Sequence, residues 1–222
     1  MNLQVVICSN GDTRTLESCV SECRMQSDSI EPEGKYSVEI VPVLQAQDIL
    51  SGWDSDPASI PDLCLWLSRP LDLKEGALAA LLENSEFLRH KAVIISSVSD
   101  KEGNLVYGGR THRGRIVQPD PVIPVPCRFY DPEMLLVPEY AVRRLNSASD
   151  LFKKSFCEYA AGSKVIKAEV SRVVAPGTMA TVDTIPSVSV WNDPSSSFLD
   201  KSLTLLKQAG SSLIRIIHSI HG

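Results

Sequence analysis

Apolar positions alternate between two rhythms along the chain. Leu3 to Ile7 is a continuous apolar run with β-branched residues, followed by polar Cys8-Ser9-Asn10-Gly11-Asp12, after which Leu16, Cys19, Val20 and Cys23 recur at helical spacing. This pattern predicts a strand, a turn and a helix. Ser37 to Leu44 reads as a second strand, and Pro42 within it argues for an edge position or a bulge. Gln45 to Asp62, with Gly52, Pro57 and Pro61, reads as loop with one helical turn around Ala46 to Leu50.

Leu63 to Leu67 is apolar throughout, as a strand covered on both faces would be, and stops at Ser68-Arg69-Pro70. Glu75 to Leu88 carries Leu78, Leu81 and Leu82 and reads as a helix; Lys91 to Val98 reads as a buried strand, and Asp100 to Asn104 as a turn into Leu105-Val106-Tyr107. The alternation β, α, β, loop, β, α, β predicts an α/β sheet rather than an all-β or all-α fold.

From Gly108 to Pro126 the composition changes to glycines, arginines and prolines, which predicts an extended surface excursion. Met134 to Val137 is apolar again. Glu139 to Leu145 reads as a short helix opened by Pro138, Leu151 to Ala161 as a helix closed by Gly162, and Val165 to Val174 as a strand broken by Pro176-Gly177. This organisation predicts one domain over 1–182, a Pro/Ser-rich connector over 183–196, and an amphipathic helix over 197–222 docked on the domain.

Composition narrows the function classes. The 222 residues carry 22 Lys and Arg against 27 Asp and Glu, a formal charge of -5, which argues against a broad nucleic-acid footprint; any anion site must come from a local basic cluster. No apolar run reaches the roughly 20 residues needed to span a bilayer, and Met1 to Gln4 leads into a strand without a basic leader, so a cytoplasmic protein is expected. The final helix also has the stripe needed to lie on a membrane surface or a protein partner. Six cysteines stand apart from the four histidines, a spacing that fits reduced, buried thiols and not zinc.

Several segments, in order, carry a resemblance. Ala92 to Arg110 holds a buried run, a turn and Tyr107-Gly108-Gly109; Met134 to Leu145 is an apolar segment leading into a helix; Ala161 to Gly177 is a late strand; Val5 to Val20 is strand, loop and helix. Together with Leu63 to Leu82, these are similar to family 2 glycosyltransferases over roughly residues 3 to 178. The resemblance implies the GT-A fold, a mostly parallel sheet with helices on both faces. It also implies a nucleotide-diphospho-sugar donor bound at the carboxyl ends of the first strands, where open α/β sheets generally hold ligands.

The sequence departs from that family where chemistry is concentrated. The Asp-x-Asp that holds a divalent cation would fall at Ser68-Arg69-Pro70, which has no carboxylate, so no metal site and no cofactor are expected there, Asp72 being the nearest carboxylate. The acidic pair that supplies a general base would fall at Asp150 to Lys153, leaving Asp150 as the catalytic candidate, with Asp131 and Glu133 the other carboxylates nearest the expected acceptor site. No acidic residue follows the second strand, and the distance from the first strand to Ser68 is about one strand and helix short.

Sugar transfer requires neutralisation of the diphosphate and deprotonation of an acceptor hydroxyl. Arg69, together with Ser9, Asn10 and Asp12, is the nucleotide-binding candidate set. Gly108, Gly109, Arg110 and Arg113, with Arg115 beyond, are candidates for phosphate or acceptor, since guanidinium groups can clamp phosphate oxygens. Each has a plainer alternative: the arginines as a solvated loop face, Ser-Asn-Gly-Asp as a turn and helix cap, the glycines as a hairpin, Asp131 and Glu133 as turn residues. Two functions follow. One is a metal-independent glycosyltransferase of polysaccharide or glycolipid assembly, using a nucleotide sugar and a sugar or lipid-linked acceptor. The other is a catalytically inactive relative that serves as a binding or scaffold subunit.

Overall fold

The computed structural model describes residues 1–9, 13–30, 32, 34–113, 115–144 and 169–182. The expected helix over 151–161, the connector, the final helix, Asn10, Asp12 and Asp150 all lie outside the described residues.

The first half is built as the hydrophobic rhythm implies. Strand β1 (Asn2–Cys8) is followed by helix α1 (Thr13–Ile30), strand β2 (Ser37–Val43), helix α2 (Gln47–Ser55) and strand β3 (Leu63–Leu67). Both β2 and β3 pair with β1 in parallel. Because β2 and β3 flank β1 on opposite sides, right-handed connections must pass over opposite faces of the sheet. The side chains agree: Cys19 and Cys23 of α1 join one core cluster, and Leu50 and Trp53 of α2 join the other. Strand β2 is a sheet edge, which accommodates Pro42 opposite Ile7.

Helix α2 corrects the expectation of a loop with a single turn. Leu50 and Trp53, three residues apart, are both buried and so give the segment an apolar face, and the Asp56 backbone N–H donates to Gly52 O at 2.8 Å to close it.

After β3 come strand β4 (Asp72–Leu73), helix α3 (Ala77–Phe87), strand β5 (Ala92–Ile95) and strand β6 (Val98–Ser99). The expected single strand from Lys91 to Val98 is therefore split, with β6 passing into a second sheet. Strands β7 (Leu105–Tyr107), β8 (Gly109–Arg110), β9 (Val125–Pro126) and β10 (Phe129–Tyr130) lead to β11 (Met134–Pro138), helix α4 (Glu139–Arg143), β12 (Ser171–Val174) and β13 (Ala180–Thr181).

The main sheet has the order β2-β1-β3-β11-β5-β12-β9. Five strands run one way, while β11 and β9 are antiparallel to their neighbours. Side chains alternate between the faces: Leu65, Ile94 and Leu136 meet α1 and α3, whereas Trp66, Ile95 and Leu135 share a cluster with residues of α2 and α4. Helices thus cover both faces. The small sheet β4-β13-β6-β7 and the pair β10-β8 complete the fold.

Candidate functional site at the carboxyl rim of the sheet

Strand order changes direction at β1, and open α/β sheets generally hold ligands at the carboxyl ends of the strands flanking such a point, here β1 and β3. Ser9 stands at the end of β1, buried, its N–H donating to Val43 O at 2.9 Å. Ser68 and Arg69 follow β3. Because β11 runs antiparallel to β3, with Met134 opposite Leu67, the residues preceding β11 arrive at this same rim.

That antiparallel pairing brings in two carboxylates. Ser68 N–H donates to Glu133 O at 3.0 Å, and the Ser68 hydroxyl donates to the Glu133 carboxylate. Arg69 Nε lies 3.2 Å from Glu133 Oε2, and its guanidinium stands 5.5 Å from the centre of the Tyr107 ring. Two residues earlier, Asp131 accepts from Arg110 Nε at 2.7 Å and from Gly108 N–H at 3.2 Å, and Asp131 N–H returns a bond to Gly108 O at 2.9 Å. Asp131 is 4% exposed and Glu133 5% exposed. A buried carboxylate persists only when paired and hydrogen-bonded, and both are.

The geometry sorts the candidates. Arg69, Gly108, Gly109 and Arg110 are drawn together through Asp131, Glu133 and Tyr107. Arg113 and Arg115 are exposed in a turn closed by Thr111 N–H donating to Arg115 O at 2.9 Å, away from the carboxylate pair's hydrogen bonds. Gly109 has a packing reason of its own: a β-carbon there would lie 2.3 Å from Val174 Cγ2 and 2.9 Å from Cys127 Cβ. At Gly108 a β-carbon would stand 3.4 Å from Ser97 Oγ.

Asp131 and Glu133 are legible in the sequence as carboxylates near the expected acceptor site, with turn residues as the plainer alternative; their burial depends on a register that sequence does not show. The signal available was two acids flanking Pro132 immediately before an apolar run.

The site does not fit a divalent cation. Each buried carboxylate already holds a guanidinium, and the Ser68 hydroxyl is spent on Glu133. A hard cation would have to displace two arginines while sitting beside them. Among the described residues, no group of three or more His, Cys, Asp or Glu is placed to hold a metal ion. None of the described helices is long and apolar enough to cross a membrane.

No family model and no curated protein matches this sequence. Solved structures do. The chain superposes on GalNAc-T7 crystallised with UDP, GalNAc and Mn2+ at a TM-score of 0.52 and 10% identity, over 89% of this chain and 45% of that one. It also matches S. aureus TarS 1-349 at a TM-score of 0.42 and 9% identity, over 82% of this chain and 60% of that one. The chain spans less than half of the GalNAc-T7 structure. Its fold is GT-A-like, a mixed α/β fold with a large, mostly parallel sheet.

Proposed function

We propose that this domain binds the diphosphate of a nucleotide sugar at the carboxyl rim, using Arg69 and Arg110 in place of a metal ion, and that it acts as a glycosyltransferase of polysaccharide or glycolipid assembly. The observation that carries the reading is the pair of arginines held through Nε by buried carboxylates at the end of β3 and β8. Holding Nε fixes the plane of the guanidinium, and the terminal nitrogens of Arg69 make no hydrogen bond among the described residues. Pre-orientation of this kind lowers the cost of engaging phosphate oxygens. The likeness to a fold crystallised with UDP supports the same assignment of ligand class.

In this reading Ser9, Asn10 and Asp12 contact the nucleoside, Gly108 lets the acceptor side approach the backbone, and Asp150 takes the acceptor proton. The domain spans 1–182, with the connector and final helix beyond it.

One observation favours the second reading, an inactive binding or scaffold subunit. Asp131 and Glu133 are the buried carboxylates of the rim, and both are engaged with arginines, so neither is placed to accept a proton from a substrate.

Calorimetric titration with uridine and guanosine diphosphates, with and without manganese, tests the proposal. Binding without manganese is expected, weakened about 10- to 150-fold in Arg69→Ala or Arg110→Ala, because charged hydrogen bonds contribute about 1.5 to 3 kcal/mol. Binding that is tight and indifferent to both substitutions would eliminate the clamp. No binding at all would leave the scaffold reading.

A further inference from the structure

Helices α1 and α3 pack against each other on one face of the main sheet, and between them lies a groove of about 450 Å³. Its walls carry Glu22 and Met25 from α1, and Glu75, Gly76 and Ala79 from the start of α3. Met25 is 59% exposed, and a β-carbon at Gly76 would meet nothing within 4 Å. Ala79, Glu83 and Phe87 follow at four-residue spacing, so this face of α3 continues to Phe87, which is 77% exposed. The described lining holds two carboxylates and no Lys or Arg. The groove is therefore an apolar trough with acidic walls.

The described chain ends beside it. Thr181 of β13 stands opposite Asp72, and Lys74 N–H donates to Met179 O at 2.9 Å. Glu75 follows Asp72 closely in the chain, a separation of at most about 11 Å. Beyond Val182 the connector over 183–196 reaches about 20 Å as a flexible coil and about 45 Å when extended. Residues 197–222 then carry Leu203, Leu206, Leu213 and Ile217 at helical spacing. Lys201, Lys207 and Arg215 fall outside that stripe, against Asp200 as the segment's one carboxylate. Stripe and cations match the trough and its acidic walls.

We propose that residues 197–222 dock on the α1–α3 groove of their own chain, with leucines of the stripe covering Met25 and Ala79 and with Lys201 or Lys207 beside Glu22 and Glu75. Attachment at the exit from β13 favours this occupant over a second copy, because a short flexible tether holds a segment at an effective concentration of about millimolar. Covering Met25 removes apolar surface from water, which drives the contact, and the opposite charges fix its register. The groove lies on the face that α1 and α3 cover, apart from the arginines of the rim, so this docking does not depend on nucleotide binding.

Zero-length cross-linking of lysines to carboxylates by a carbodiimide, followed by peptide mapping, tests this on the full chain. An equal mixture of nitrogen-15-labelled and unlabelled protein separates links within a chain from links between copies. Links from Lys201 or Lys207 to Glu22 or Glu75 are expected within single chains. Leu206→Ser/Leu213→Ser leaves every cation and carboxylate in place and should lower their yield at least tenfold. The Lys35–Glu86 ion pair supplies an internal control, since its link should form equally in both proteins while the domain is folded. Segment links unchanged in the variant would overturn the proposal, as would links found only between copies, which would assign the groove to a second chain. Absence of segment links in the parent would overturn it too, and flotation of that protein with phosphatidylglycerol vesicles would then assign the stripe to a membrane surface.

Discussion

Glu133 Oε2 lies 3.2 Å from Arg69 Nε, although the two residues are 64 apart in the chain. The turn after β3 lacks a carboxylate in sequence and gains one in space, delivered by the lead-in to β11. Its partner is a cation belonging to the protein rather than a metal ion. Asp131 and Arg110 repeat the arrangement at 2.7 Å. The rim therefore holds two arginines and two carboxylates in matched pairs.

Breaking one pair should cost more than removing it whole. Glu133→Ala leaves Arg69, 17% exposed, without its counter-charge and is expected to destabilise by about 2 to 4 kcal/mol. Arg69→Met combined with Glu133→Leu should cost less than the sum of the single changes. Urea unfolding of the parent, both singles and the double measures the coupling. Strict additivity would show that the pair is electrostatically idle.

Gly109→Ala forces a methyl group into Val174 and Cys127 and is expected to cost about 1 to 3 kcal/mol through overpacking. Val174→Ala in the same chain should recover part of that loss. Gly103→Ala is a useful contrast: φ is +87° and nothing lies within 4 Å, so only backbone strain of about 1 to 2 kcal/mol is expected, with no rescue by repacking. Thermal denaturation of the three variants separates crowding from conformation.

Lys35 and then Tyr36 hold the Glu86 carboxyl below its usual range through hydrogen bonds, the Tyr36 hydroxyl donating at 2.5 Å. A depressed folded-state value means the stabilisation is present above the unfolded value of 4.5 and is lost as pH falls through the folded one. Glu86→Gln should therefore be less stable than the parent at pH 7, with the gap closing as the solution is acidified below about pH 4.5. Asp100 and Asp120 are shifted down in both proteins by local hydrogen bonds and cancel in the difference. Melting temperatures across the acid range check this, and a gap that stays constant would refute it.

Gln26 ties α1 to the start of α3. Its Nε2 donates to Glu22 Oε1 at 2.8 Å and to Lys74 O at 2.9 Å, while Oε1 accepts Leu78 N–H at 3.0 Å, a donor the first turn of α3 cannot satisfy internally. Gln26→Leu strands those groups and is expected to lower stability by about 1 to 3 kcal/mol. Chemical denaturation measures it; a neutral or stabilising result would mean that water replaces the amide at no cost.

The α/β class, β1 through β3, α1, α3 and the edge position of β2 were legible in the chain because each rests on local pattern. A run such as Leu63 to Leu67 is apolar on both faces whatever surrounds it, and Pro42 limits its strand wherever that strand pairs. Arg69 and Arg110 are identifiable in the sequence as cations beside turns. Their partners are not. Asp131 and Glu133 have the same local chemistry as exposed turn residues, and only the antiparallel insertion of β11 between β3 and β5 buries them at the rim. Local sequence determines which elements form; which charges face each other is decided by strand order and register, because pairing joins residues that the chain keeps far apart.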